Sequence, residues 1–218
     1  ANVWACVRIV NEDFSKYIAN TAAKYNVTIM PVSFDLTNEI QVKEGIKSIK
    51  ETKQPVDILV NNAGVIFTSL FQMTPVNKMK EVFETNYFSQ MLLTQSIIKI
   101  MTRQNSGNIV NISSSAAIEG NEGRIAYAAS KAAMNASTKV MARELASYNI
   151  RVNSIAPGLT DTDMMHESTP TDAMENILQR LSIKRIGNTT EIANVALFLS
   201  SDLSSYMTGQ VLRVDGGM

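Results

Sequence analysis

Gly-Asn-Ile-Val-Asn-Ile at 107–112, Ser-Ser-Ser at 113–115, Tyr-Ala-Ala-Ser-Lys at 127–131 and Ile-Arg-Val-Asn-Ser-Ile at 150–155 lie in order along the middle of the chain. The two apolar runs read as buried strands, and the segment between them reads as a helix reaching about Tyr148. On that helix Tyr127 and Lys131 stand at i and i+4 and share a face. A cation about 4 Å from a phenolate, at an effective dielectric near 20, interacts by roughly 4 kcal/mol, which lowers a phenol pKa of about 10 by about 3 units. The expectation is a tyrosine that works as an acid near neutral pH. With six tyrosines in 218 residues, one Tyr-x-x-x-Lys arises by chance about a third of the time. The surroundings therefore carry the reading.

Outward from this unit, strand and helix patterns alternate along nearly the whole chain. Strands are expected at Val3–Val7, Val27–Phe34, Val56–Val60 and Val211–Val214, and helices at Asn11–Tyr25 and Met79–Gln104. Pro31 sits badly inside a strand because it lacks a ladder donor. Val42, Ile46 and Ile49 mark a helix with one buried face, and Ile192, Val195, Ala196 and Leu199 mark another. Continuous apolar strands separated by helices predict an α/β fold, a doubly wound parallel sheet in one domain over 1–218. Such sheets bind ligands at the carboxyl ends of their strands. Asp35, Asn61-Asn62-Ala63-Gly64, Ser113-Ser114-Ser115 and Pro157-Gly158 all fall at those ends. Each alone is ordinary turn chemistry; together they outline a site.

Composition narrows the function. Twenty basic and twenty acidic residues cancel, leaving no electrostatic footprint for nucleic acid or an anionic membrane surface. Cys6 is the only cysteine, so no intrachain disulfide can form and the cytoplasm is the expected compartment. His166 is the only histidine and lies in a loop-like setting without a nucleophile motif, against a Ser-His-Asp triad. One Cys and one His leave only carboxylates for a zinc site, so no metal is expected. No apolar run approaches a membrane span and no signal peptide is visible.

These residues resemble the short-chain dehydrogenases/reductases over essentially the whole chain. The resemblance rests on Asn61-Asn62-Ala63-Gly64, Asn86 in Glu-Thr-Asn, Ser114 in Asn-Ile-Ser-Ser, Tyr127-x-x-x-Lys131, and Pro157-Gly158 followed by Thr162. Ala-Tyr-Ala-Ala-Ser-Lys-Ala-Ala, Ala-Pro-Gly-Leu-Thr-Asp-Thr-Asp-Met, Thr-Gly-Gln-Val-Leu and the closing Val-Asp-Gly-Gly-Met are most similar to the 3-oxoacyl-[acyl-carrier-protein] reductases.

The resemblance implies a catalytic set. Tyr127 is the acid that protonates a carbonyl oxygen, Lys131 lowers its pKa and holds the nicotinamide ribose, and Ser114 binds the substrate oxygen. Asn86 anchors a water relay. It also implies cofactor contacts: Asp35 and Leu36 at adenine, Asn62, Ala63 and Gly64 along the ribose, and Pro157, Gly158, Thr160 and Thr162 toward the carboxamide. An acidic residue after the first strand would select NAD; Val7 and then Arg8 stand there. A guanidinium binds a 2′-phosphate bidentately, which favours NADP. NADPH-dependent reduction of a 3-oxoacyl thioester, free or linked to a carrier protein, is the leading expectation. A sugar or cyclic alcohol dehydrogenase and a catalytically silent partner subunit are the alternatives.

Two features depart from the family pattern. The chain lacks a Gly-x-x-x-Gly-x-Gly phosphate loop and enters at what resembles the family's second strand, so a preceding segment of about 30 residues, strand, glycine loop and helix, is expected in the whole protein. Asn105 and Tyr148 are uncharged where a carrier-binding reductase would present cations. Arg103, Arg143 and Arg151 are the candidate substitutes. The stretch from Thr160 to Gly187, with Pro170, Thr171, Met164, Met165 and Met174 and with Met141 in reach, is a candidate lid over an apolar substrate. A homotetramer pairing the long helix and the Tyr127 helix across subunits is the expected assembly.

Overall fold

β4 (Gly107–Ile112) and β5 (Ile150–Pro157) are the middle of the fold, parallel, with Gly107 opposite Ile150 and Ile112 opposite Ile155. The structure is a computed structural model that describes residues 1–218, the Thr171 side chain excepted. β3 (Ile58–Asn61) and β6 (Val211–Val214) flank the central pair, giving the parallel order β3-β4-β5-β6. Side chains alternate across this sheet, as the two-residue period of a strand requires. Ile109, Ile150 and Val152 face one core with Val42, Ile46 and Ile49 of α2 (Glu39–Glu51), Ile97 and Met101 of α4 (Ser89–Gln104), and Ala142 and Leu145 of α6 (Ile125–Leu145). Val110 and Ile155 point the other way, onto Leu199 of α9 (Thr189–Ser200). Both faces of these strands are buried, and the polar residues they carry, Asn108, Asn111, Asn153 and Ser154, are buried with the apolar ones. Each fully buried aliphatic side chain contributes about 1.5–3 kcal/mol.

β1 (Val3–Val7) and β2 (Ile29–Ser33) pair in parallel as a separate two-stranded sheet. Val32 and Phe34 share the first core with α2, and Trp4 packs against it. One core therefore runs under both sheets. β1 and β3 keep unpaired edges, and Val3, Ile58 and Val60 on them are exposed. Pro31 does lie in a strand, opposite Ala5; β2 has a single partner, so a missing donor is tolerated there.

Two boundaries differ from expectation for visible reasons. The third strand begins at Ile58, because Val56 is drawn out of the ladder: its N–H donates to Gln104 Oε1 (3.0 Å) and its carbonyl accepts from Gln104 Nε2 (3.1 Å). The long helix expected from Met79 starts earlier, as α3 (Val76–Phe83), and passes through a π-helical turn, Glu84–Phe88, before α4. Three further helices precede or follow the central unit: α1 (Glu12–Tyr25), capped by Asn11, then α7 (Asp163–Ser168) and α8 (Thr171–Arg180). Among the described residues no helix is long and apolar enough to cross a membrane.

Near the carboxyl ends of the strands the first core turns polar. Asn61 Nδ2 donates to Thr94 Oγ1 (2.9 Å) and Asn111 Oδ1 (2.8 Å), and Asn111 Nδ2 donates to Thr138 Oγ1 (2.8 Å). This network ties β3, β4, α4 and α6 together directly beneath the rim that carries the candidate site. Hydrogen bonds at this depth fix one arrangement of the neighbouring elements, although Asn61 Oδ1 is left without a partner.

Candidate active site

The end of β4 delivers the serines. Ser113 N–H donates to the Ile155 carbonyl (2.7 Å) and Ser115 N–H to the Pro157 carbonyl (2.8 Å), so the turn is clamped to β5 and all three serines are buried. Ser114 Oγ accepts from Ala116 N–H (3.1 Å), and its hydroxyl is near enough to the Tyr127 phenol to lower that group's pKa. One turn along α6, Lys131 is 3% exposed, with Nζ 5.8 Å from the centre of the Tyr127 ring. Spacing put Tyr127 and Lys131 on one helical face, and the rim turns and the family resemblance added Ser114; the structure brings the three to one cavity.

The electrostatics run opposite to the sequence expectation. Burial raises the Tyr127 pKa above the ordinary phenol value; the Ser114 hydroxyl and then the Arg124 charge pull it down without overcoming burial. Lys131 is pulled down to about 8, again by burial. Its ammonium turns to the Ile112 carbonyl, to which it donates at 2.7 Å. Desolvation penalises both charged forms and outweighs the attraction that spacing suggests. At neutral pH the phenol is therefore protonated and Lys131 is predominantly cationic.

Asn86 sits in the π-helical turn and is fully buried. Its Oδ1 accepts from Val65 N–H (2.8 Å), and its Nδ2 donates to the Val65 carbonyl (2.9 Å) and to Ser130 Oγ (3.1 Å). The amide is thus committed to the loop that carries Asn62, Ala63 and Gly64. A π turn exposes a different set of carbonyls from an α turn and recurs at functional sites. A Cβ at Gly64 would lie 3.5 Å from both Asn86 Oδ1 and Lys131 Nζ, so this loop runs against the lysine.

A cavity of about 1090 Å³ opens on the cluster. Asn62, Ala63, Gly64, Ser114, Tyr127, Lys131, Pro157, Gly158, Thr160 and Thr162 all line it; Arg8, Asp35, Leu36 and Asn86 do not. Leu36 packs on the core under the two-stranded sheet. The Asp35 carboxylate accepts from Thr37 Oγ1 (2.7 Å) and Thr37 N–H (2.9 Å); these bonds lower its pKa, with a smaller effect from the Arg8 charge. Gly158 has a reason besides a ligand: a Cβ there would lie 2.6 Å from Asp215 Cα. Thr162 caps α7 by accepting from Met165 N–H (3.2 Å), and Thr160 Oγ1 donates to the Gly158 carbonyl (3.1 Å).

Of the candidate lid residues, Met164, Met165 and Pro170 line the cavity, whereas Met174 does not and Met141 packs into the core instead. Arg151 is not available to a carrier protein: its guanidinium donates to the Met207, Leu199 and Ser201 carbonyls (2.8–3.1 Å). Arg103 and Arg143 remain exposed. Arg124 is the residue that motif reading passed over. It lines the cavity and its charge reaches Tyr127, and its position three residues before Tyr127, on the same helical face, was the available signal.

The residues present fit the nicotinamide half of a dinucleotide. Lys131 is a buried ammonium with three donors, of which the Ile112 carbonyl takes one, beside a cavity lined by glycine-bearing turns. A doubly wound sheet with a half-buried tyrosine and a buried lysine and serine at its carboxyl rim defines an NAD(P)-dependent oxidoreductase. Residues 1–218 match the family described as Enoyl-(Acyl carrier protein) reductase. The 3-oxoacyl-[acyl-carrier-protein] reductase of Thermotoga maritima is 41% identical over 188 residues, 86% of this chain and 76% of its own length. An NAD+-bound xylitol dehydrogenase superposes with a TM-score of 0.91 at 30% identity, covering 99% of this chain and 88% of its own. A gluconate 5-dehydrogenase from Burkholderia cenocepacia, in complex with NADP and tartrate, gives 0.90 at 26% identity, with 98% and 83% covered. The chain belongs to the short-chain dehydrogenase/reductase family.

Proposed function

We propose that this protein reduces the ketone of a 3-oxoacyl thioester to the secondary alcohol, using NADPH. The observation that carries the reading is the Tyr127 phenol, kept protonated by burial, lining one cavity wall together with Ser114 and Lys131. In the proposed reaction the cofactor supplies a hydride to the carbonyl carbon. The Ser114 hydroxyl holds the carbonyl oxygen, and the Tyr127 hydroxyl gives that oxygen its proton as charge develops there. Lys131 stays cationic at neutral pH, holds the ribose hydroxyls with its two remaining N–H groups, and stabilises the phenolate left after proton transfer. Asn86 keeps the Ala63–Val65 loop against Lys131. Hydride plus proton converts ketone to alcohol, and the phenol is reloaded from solvent.

Arg8, exposed beyond β1 and close enough to Asp35 to affect its charge, supports a 2′-phosphate and hence NADP over NAD. Ile66, Leu70, Met164, Met165 and Ile177 on the substrate side of the cavity suit an acyl chain. Exposed Arg103 and Arg143, at the ends of α4 and α6, are the cations left to meet an acidic carrier. A homotetramer through these two helices, located in the cytoplasm, completes the proposal. A second reading, oxidation of a sugar alcohol, is favoured by the xylitol and gluconate dehydrogenase likenesses. NADPH oxidation by the full chain separates the two. Turnover of an acetoacetyl thioester supports the first reading; NAD(P)+ reduction with xylitol or gluconate, and none with the thioester, replaces it with the second.

A further inference from the structure

Arg124 stands at the N-terminus of α6 and joins the two walls of the cavity. Its Nη1 donates to Thr68 Oγ1 (2.7 Å), on the segment that follows β3. Its Nη2 donates to the Ser168 carbonyl (2.8 Å) and to Thr169 Oγ1 (3.2 Å), at the end of α7. The near wall has support of its own, because Ser69 N–H donates to the Gly123 carbonyl (3.0 Å). The far wall has little. Six residues are too few for α7 to persist by itself, and beyond the Thr162 cap it is held by the buried Met165 and by the exposed pair His166 Nε2–Asp161 Oδ1 (2.7 Å), which ties it only to the adjoining turn.

Two further facts bear on Arg124; the first it shares with Arg151, which is held by carbonyls alone, and the second is its own. Among the described residues no carboxylate pairs with it, so its half-buried charge is met only by neutral oxygens. That charge is also felt at Tyr127, one helical turn away. A planar fork bonding two segments at once is a task lysine cannot duplicate, since an ammonium is a point donor on a flexible stem.

We propose that Arg124 is a positioning residue that fastens α7 across the cavity, closing the substrate wall over the ketone and holding a fixed positive charge beside the acid. The fastening role stands on the hydrogen bonds alone; the consequence for turnover rests on the ketone-reductase reading above. Hydrogen exchange on the full chain therefore tests the first without reference to any substrate. In Arg124→Met the amides of residues 163–169 should exchange at least about tenfold faster, while those of β4 and β5 are unchanged. Unchanged exchange at 163–169 overturns the proposal. Arg124→Lys, which keeps the charge and folds under milder perturbation, should show the same loosening of α7. Lysine protection equal to arginine also overturns it. With an acetoacetyl thioester, Arg124→Met should raise KM about tenfold with a smaller fall in kcat, the signature of lost substrate positioning. A KM equal to that of the parent contradicts it. Failure of the parent protein to turn over any ketone removes the reductase reading and leaves the exchange result standing.

Discussion

The carboxyl ends of the four-stranded sheet and of the two-stranded sheet carry the two halves of the proposed site, and they are built differently. At β4 and β5 Tyr127 is half-buried, and the groups around it are buried and held by a neighbouring element: Ser113 and Ser115 by the β5 backbone, Lys131 by Ile112, Asn86 by Val65. At β1 and β2, Arg8 is exposed and the Asp35 carboxylate is held only by Thr37 within its own turn. Proton transfer needs desolvated groups in fixed geometry, because both their pKa values and their distances must be set. Reading a phosphate needs only an accessible cation. Damage to the first region should therefore be severe and damage to the second mild.

The largest effect is expected at the acid. Tyr127→Phe removes one hydroxyl from a half-buried ring and should lower kcat for ketone reduction about 10³-fold, with NADPH binding and thermal midpoint close to the parent's. Retained turnover would break the contrast at its stronger end. Next comes the network beneath the rim. Asn111→Ala removes one of the two partners of Asn61 Nδ2 and of Thr138 Oγ1, leaving a buried N–H of Asn61 unpaired, and should cost about 1–3 kcal/mol in chemical denaturation. A neutral result would mean that the polar layer does not hold the rim. The smallest effect belongs to Arg8: Arg8→Ala should reduce the preference for NADPH over NADH by about tenfold or less and leave kcat with saturating NADPH unchanged. A loss of the preference as large as the Tyr127 effect would invert the comparison.

How much of this was legible in sequence varies by element. Apolar runs at 107–112, 150–155 and 211–214 marked strands that the structure contains; the first two are buried on both faces, and the third is half-buried with Arg213 exposed. Periodicity does not report which strands pair, and the division into sheets of two and four strands was not readable from it. The π turn at 84–88 was equally hidden, because Glu-Thr-Asn-Tyr-Phe carries an ordinary helical pattern and the widened turn follows from the buried bonds of Asn86 to Val65 and Ser130. The grouping of Tyr127 and Lys131 could be read from spacing, with Ser114 added by the rim turns and the family resemblance. Their ionisation could not, because spacing gives neighbours and omits desolvation, which here is the largest influence on both groups. Arg151 resembled a free surface cation until its three carbonyl partners were seen.

The claim that Tyr127 and Lys131 work as one proton-donating unit is tested most directly by the pH dependence of ketone reduction. Lys131 is depressed to about 8, so its charge is present below that pH and lost above it; the phenol, raised by burial, stays protonated throughout. The kcat/KM of the parent protein should be level below pH 8 and should fall about tenfold per unit above it. In Lys131→Met the rate should be about 10²-fold lower and this alkaline limb should vanish. The same limb, at the same pH, in Lys131→Met would contradict the account.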